Sequence, residues 1–187
     1  MTALEQLGRR AKQAEQFLRT ASTASKDHGL TQIADALLEH TAAILEANAK
    51  DIANGEQAGM SPALLDRLRL NEARIAGMAQ GMREIVALPD PVGSVLSGGN
   101  RPNGMQIEKV AVPLGVVAVI FEARPNVTAD AAALCLKSGN AVILRGGKEA
   151  IHSNQAIAAV MRAALEQAGL PQDCIQLVAD TFGIDSV

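Results

Sequence analysis

The sequence predicts an α/β fold in which N-terminal helices precede a βαβαβ parallel half-sheet, with a β-hairpin excursion between them. Three observations predict it. Apolar residues recur at three- and four-residue spacing through the first ninety positions. A Pro- and Gly-rich stretch then gives way to an alternating run that ends at Val112. In the last third, short β-branched runs alternate with helical stretches.

Each element follows from local pattern. Leu4, Leu7, Ala11, Ala14 and Leu18 line one helical stripe. So do Leu30, Ile33, Leu37, Leu38, Thr41, Ile44 and Leu45, and again Ile75, Met78, Ala79, Met82, Ile85 and Val86. Ser61-Pro62 predicts an N-cap followed by proline at the first helical position. Asn71 predicts another cap, with Glu72 favouring the positive helix end. Gly29, Gly55 and Gly59 predict breaks between helices.

Pro89-Asp90-Pro91 closes the helical region. Residues 91–104 hold four glycines, two prolines and two asparagines, which is turn chemistry. Met105–Val112 alternates and predicts a strand, so the segment reads either as a local hairpin or as an excursion that reaches a partner chain. Gly115–Ile120 is a continuous apolar run, suited to a strand covered on both faces. Asn126–Ser138 predicts a helix with Gly139 at C′. Asn140–Leu144 predicts a second buried strand. Ala156, Ile157, Val160, Met161, Ala164, Leu165 and Ala168 predict the next helix, and Cys174–Val178 the third strand. Right-handed crossovers make this a Rossmann-like half of a doubly wound sheet. The reading divides the chain into a helical part (1–90), a hairpin (91–112) and the βαβαβ core (113–187).

Composition excludes several function classes. The chain has 187 residues, with 17 Lys and Arg against 20 Asp and Glu, a net charge of −3. It lacks Trp and Tyr and carries only Phe17, Phe121 and Phe182. A single-stranded nucleic-acid platform, which stacks bases on aromatic rings, is not expected. The acidic balance argues against polyanion binding. The apolar run Gly115–Phe121 is far short of the ~20 residues of a membrane span. The N-terminus has no basic, apolar leader. The expectation is a cytoplasmic protein without membrane or nucleic-acid partners. Cys135 and Cys174 form no Cys-x-x-Cys pair, and both read as core. His28, His40 and His152 are scattered, so no metal set is expected.

In an open parallel sheet, ligands bind beyond the carboxyl ends of the strands. Phe121–Asn126 and Arg145–Lys148 occupy that edge. From Arg124 to Lys148 the cations are Arg124, Lys137, Arg145 and Lys148, against Asp130 alone, which gives 4 − 1 = +3. An anionic ligand follows if these side chains point outward. Gly146-Gly147 permits close backbone approach, flanked by Arg145 and Lys148. The plainer alternative is an ordinary strand-to-helix turn. Asn126 reads either as an amide donor towards an anionic intermediate or as a helix N-cap, a place Thr128 could also take. Glu122 reads either as a catalytic carboxylate or as the partner of Arg124.

Three strings carry a family resemblance: Pro113-Leu-Gly-Val-Val-Ala-Val-Ile120, Phe121-Glu-Ala-Arg-Pro-Asn-Val-Thr128, and Lys137-Ser-Gly-Asn-Ala-Val-Ile-Leu-Arg-Gly-Gly-Lys148. They resemble the gamma-glutamyl phosphate reductases, also called glutamate-5-semialdehyde dehydrogenases, of the aldehyde dehydrogenase superfamily. Asn48-Ala-Lys-Asp51 and Leu64-Leu-Asp-Arg-Leu68 add to the likeness, which extends to about Asp180. The resemblance implies an aldehyde dehydrogenase cofactor-binding domain. It implies NADPH-dependent reduction of L-glutamyl 5-phosphate to the semialdehyde in proline biosynthesis, through a cysteine thioester. It places Arg145 where the superfamily contacts the adenosine ribose. It places Lys148 where many NAD-using relatives carry a ribose-gripping glutamate, and a cation there favours NADPH (NADP). Arg124, Gly146 and Gly147 complete the expected cofactor-binding set. Asn126 is the asparagine nearest the oxyanion position, while ungapped counting from Gly139 reaches Glu122. The 91–112 hairpin resembles the oligomerisation excursion of a homo-oligomer. The family's Lys-Asn-x-x-x-Cys-Asn nucleophile setting does not occur in this sequence. The chain therefore reads as an amino-terminal portion, inactive alone. A non-catalytic dinucleotide- or phosphate-binding module and a structural oligomerising piece are the alternatives.

Overall fold

A computed structural model describes residues 2–179. The C-terminal part of the expected βαβαβ core, 180–187, lies outside the described residues. Five helices come first: α1 (Ala3–Leu18), α2 (Thr23–Glu39), α3 (Thr41–Gln57), α4 (Pro62–Leu68) and α5 (Glu72–Ala87). An antiparallel hairpin of β1 (Val95–Asn100) and β2 (Gln106–Val110) follows. The remainder runs β3 (Val116–Ile120), α6 (Asn126–Lys137), β4 (Ala141–Arg145), α7 (Ile151–Gln167) and β5 (Ile175–Leu177).

The three last strands are parallel in the order β3-β4-β5, as the alternation predicts. Val116 pairs with Ala141 and Ile120 with Arg145; Val142 pairs with Ile175 and Leu144 with Leu177. Because both crossovers step in one direction, α6 and α7 share a face of the sheet and touch each other. Helix α1 packs on β3, β4 and β5, and α2, α3 and α5 pack behind α6 and α7. One apolar core links these layers, from Leu18, Leu30 and Ile33 through Ile75 and Met82 to Leu136, Leu144, Ile157 and Ile175. Asn140 joins β3 to β4 at their start: its Oδ1 accepts from the Gly115 N–H at 2.8 Å. Gly139 has φ +74°, the left-handed value expected at C′.

Local signals set most boundaries. Ser61 Oγ accepts from the Leu64 N–H, with Pro62 at the first position of α4. Asn71 Oδ1 accepts from the Arg74 N–H at 2.8 Å. Three expectations are corrected. Gly29 and Gly55 do not break helices; they lie inside α2 and α3. A Cβ on Gly29 would stand 2.5 Å from Leu170 Cδ1, and one on Gly55 would stand 2.7 Å from Met60 Sδ. Glycine is there for close packing against a neighbour, not for a turn. The stripe from Leu30 to Leu45 spans two helices, because the chain bends at His40 (φ −98°, ψ 18°). Finally, β3 is not covered on both faces. Within the described sheet it is an edge strand, with Ile120 78% exposed, whereas β4 is the central, buried one.

Two buried ion pairs tie the helices together. Lys26 Nζ lies 2.6 Å from Asp90 Oδ2 with its side chain 1% exposed. Lys137 Nζ lies 2.6 Å from Asp27 Oδ1 and donates to the Val86 carbonyl at 2.9 Å. Pro89-Asp90-Pro91 thus anchors the exit of α5 as well as ending it. Burial alone would raise the Asp90 pKa. Hydrogen bonds from Lys26, Thr23 and the Val92 N–H, with the Lys26 charge, outweigh it and hold the carboxyl below its ordinary 3.8.

Asp90→Asn leaves the Lys26 ammonium buried without its counter-charge. It should lower stability by about 3 kcal/mol at pH 7. A depressed folded-state pKa gives stability that is present above the ordinary value and lost below it. Urea melts should therefore show the gap to wild type closing as pH falls below 3.8. A pH-independent gap would contradict this account.

Candidate functional site

The carboxyl ends of β3 and β4 lead into two loops. From β3 the chain runs through Phe121–Pro125 into α6. From β4 it runs through Gly146-Gly147 into a 3₁₀ turn, Lys148–Ala150, and then α7. The Phe121 N–H donates to the Arg145 carbonyl at 3.0 Å, so the two loops leave the sheet side by side.

Helix α7 has no cap of its own; Ala150 holds the N-cap position. The cap comes from α3. Asp51 Oδ1 accepts from the His152 N–H at 3.1 Å, and Oδ2 from the Ser153 N–H at 2.7 Å and Ser153 Oγ at 2.6 Å. One turn earlier on the same face of α3, Asn48 Nδ2 donates to Ser153 Oγ at 3.0 Å and to the Leu68 carbonyl at 2.8 Å. Its Oδ1 accepts from the Leu70 N–H at 2.8 Å. Both side chains are buried. A carboxylate at the positive end of α7 meets the N–H groups that the helix cannot satisfy itself. The first turn of α7 is therefore taken, and an anion at this edge must be held by the loop.

That loop carries the expected groups. Arg145 is partly exposed and Lys148 exposed, and neither has an ion-pair or hydrogen-bond partner for its side chain among the described residues. The N–H groups of Gly146 and Gly147 likewise donate to no acceptor among the described residues. Gly146 is also needed internally: a Cβ there would run into the buried Asn154 Nδ2, whereas one on Gly147 would meet the movable end of the Glu149 side chain. Asn154 is buried; its Oδ1 accepts from Thr128 Oγ1 at 3.0 Å, and its Nδ2 has no partner among the described residues. Two cations and two N–H groups without partners among the described residues thus stand on a loop held close to α7, with the Glu149 carboxylate beside Gly147, and the cations suit an anionic group.

The other expected residues divide. Arg124 is exposed and lines a separate cavity of about 390 Å³ with Arg67, Arg74, Asn126 and Asp130. Asn126 does not cap α6, since Pro125 holds that position without a side-chain bond. Its Nδ2 instead donates to Asp130 at 3.1 Å. Thr128 does not cap either, because its hydroxyl is committed to Asn154. Glu122 and Arg124 share a backbone hydrogen bond of 2.8 Å but no side-chain ion pair. Lys137 is corrected. It lies at the far end of α6, 4% exposed and paired with Asp27, so it adds nothing to the positive edge. Cys135 and Cys174 are buried, as expected. Burial raises the Cys135 thiol, and burial with the Asp173 charge pushes Cys174 up to about 12. Neither is a poised nucleophile. No group of three or more potential metal-ligating side chains occurs among the described residues. Nor is any described helix long and apolar enough to cross a membrane.

Sequence reasoning missed Asp51, Asn48 and Asn154 as the residues that set the loop. The one local sign was negative: Ala150 precedes α7 where a capping side chain is expected.

A loop that leaves the central strand of a parallel sheet at its carboxyl end, with helices on both faces, is an arrangement shared by dinucleotide-binding domains. The aldehyde dehydrogenase family profile matches residues 5–184, and the chain belongs to that family. Within it, the chain is 53% identical over 175 residues to a gamma-glutamyl phosphate reductase from Syntrophomonas wolfei. That match covers 94% of this chain and 42% of the relative. It is 56% identical over 174 residues to the enzyme of that name from Moorella thermoacetica, again covering 42% of it. The crystal structure of gamma-glutamyl phosphate reductase from Thermotoga maritima superposes with a TM-score of 0.95 at 37% identity, over 96% of this chain and 44% of that one. The chain thus resembles the N-terminal portion of gamma-glutamyl phosphate reductase and spans well under half the length of these relatives.

Removing the remote cap should loosen the site. Asp51→Ala leaves buried donors on Ser153 unsatisfied and should cost about 2 kcal/mol. In hydrogen exchange, the first turn of α7 should lose protection before the sheet does. Unchanged protection at Ser153 and Asn154 would contradict the assignment.

Proposed function

We propose that this chain is the cofactor-binding, amino-terminal portion of a cytoplasmic, NADPH-dependent enzyme. The enzyme reduces L-glutamyl 5-phosphate to glutamate 5-semialdehyde with release of phosphate, in proline biosynthesis. The likeness to gamma-glutamyl phosphate reductases supports the reaction. The observation that carries the cofactor reading is the Arg145–Lys148 loop after the central strand, whose two cations and glycine N–H groups have no partner among the described residues. Lys148 is a point charge suited to a 2′-phosphate, and Arg145 offers a planar fork to the ribose or phosphate. When bound, NADPH supplies the hydride. Asn126 keeps one amide hydrogen beyond its bond to Asp130, and that N–H is the oxyanion donor in this reading. Because both thiols are buried with raised pKa values, the nucleophile of the intact enzyme lies outside this span. The 187 residues alone then bind cofactor without turnover. Residues 1–90 and 113–187 act together as the cofactor unit.

The 91–112 hairpin is read as a homo-oligomer contact. Both of its strands are exposed throughout, with Leu96 at 61% and Ile107 at 43%. Unpaired strand edges carrying exposed apolar side chains favour a covering partner.

Titration of NADPH and then NADH into the chain, followed by cofactor fluorescence, tests the first reading. Saturable binding with NADPH preferred is expected. Lys148→Glu should abolish most of that preference, an effect of tenfold or more in Kd ratio, about 1.4 kcal/mol. An unchanged preference would sink the role of Lys148. For the hairpin, sizing chromatography should show a dimer or larger species that Leu96→Glu/Ile107→Glu converts to monomer. A wild-type monomer would end that reading.

A further inference from the structure

The first turns of α6 and α7 meet in a buried polar contact that the cofactor reading does not use. Thr128 on α6 is 0% exposed and Asn154 on α7 is 1% exposed. Thr128 Oγ1 donates to Asn154 Oδ1 at 3.0 Å. The other end of that amide faces the turn after β4: a Cβ on Gly146 would run into Asn154 Nδ2 and would stand 3.1 Å from Phe121 Cε2. Gly146 therefore sits between the ring at the end of β3 and the amide on α7. Its neighbours in the chain, on either side of the glycine pair, are the two cations Arg145 and Lys148.

The amide is an unfavourable choice for packing alone. Asn154 Nδ2 is the one buried side-chain polar atom without a hydrogen-bond partner among the described residues. A buried donor left unmet is disfavoured against an apolar side chain of the same shape. Leucine would fill the space without that penalty. What leucine lacks is an acceptor for the Thr128 hydroxyl. The last torsion of asparagine is soft, so a hydrogen bond at Oδ1 is what fixes the plane of the amide. That plane sets how closely the Gly146 turn approaches α7. Asp51 and Asn48 secure the same turn of α7 from α3, through Ser153. The Thr128 bond adds α6 to the elements that hold the loop.

We propose that Asn154 and Thr128 are positioning residues for the cofactor loop: through the Asn154 amide, α6 sets the place of Gly146 and with it the presentation of Arg145 and Lys148. NADPH affinity then depends on a hydroxyl that is itself shut away from solvent. The inference rests on the proposed function and deepens it by adding a residue of another helix to the binding unit.

Fluorescence titration of NADPH into the chain and its Thr128→Val, Thr128→Ser and Thr128→Val/Asn154→Leu variants tests this, with thermal melting and amide NMR spectra recorded alongside. Thr128→Val should weaken NADPH binding fivefold or more and shift the Gly146 and Gly147 amide resonances. Thr128→Ser keeps the hydroxyl and should retain wild-type affinity and resonances. The double variant replaces both polar partners by apolar groups of similar shape, so it should melt no lower than wild type. It should nevertheless bind NADPH at least fivefold more weakly, a loss that stability does not explain. Wild-type affinity in the folded double variant would overturn the proposal and leave the cofactor reading standing. Equal losses in Thr128→Ser and Thr128→Val would also overturn it, because the hydroxyl would then not be the cause. Absent NADPH binding by the folded wild-type chain would overturn it together with the cofactor reading.

Discussion

The loop that would hold a ligand owes its position to two side chains roughly a hundred residues away. Asp51 caps α7 from α3, through contacts of 2.6–3.1 Å to His152 and Ser153. Asn48, one turn earlier, joins the same serine to the end of α4. A helix start left uncapped inside a protein exposes N–H groups that water cannot reach. One carboxylate meets that need for α7. It also fixes where the Gly146-Gly147 turn leaves the sheet, because the turn is packed against the same helix by Asn154. N-terminal helices and parallel sheet therefore form one unit.

The same logic recurs at the opposite edge. Lys26 and Lys137 are buried, and each has a carboxylate at 2.6 Å. They tie α2 to the segment after α5 and to the end of α6. Such pairs add little net stability relative to an apolar core, yet breaking one is costly, so they act as registration pins. They also draw Lys137 away from the ligand edge. The positive character there comes from Arg145 and Lys148 on the loop and from Arg67 and Arg124 on the neighbouring cavity.

Apart from the break between α2 and α3, the element order was legible in the sequence, and so were the caps at Ser61 and Asn71, the C′ glycine at 139 and the hairpin. The places that failed were decided by neighbours. Gly29 and Gly55 read as breaks because glycine is a poor helix former, but inside α2 and α3 they admit Leu170 and Met60. Gly115–Ile120 reads as a doubly covered strand because it is all apolar, but it lies at the edge of the described sheet. Asn126 and Thr128 read as caps because of their residue types, but their side chains were claimed by Asp130 and Asn154.

By itself, the sequence determined the α/β class, the βαβαβ order and the pairing of two cations with two glycines after the second strand of that unit. These follow from periodicity, turn chemistry and spacing, which act over a few residues. Only the tertiary structure decided which cations face solvent, that α7 is capped from α3, and that Arg124 shares a cavity with Arg67 rather than a loop with Lys148. Those outcomes depend on contacts between residues some fifty to a hundred positions apart, chosen by burial and hydrogen-bond satisfaction, which no local pattern encodes.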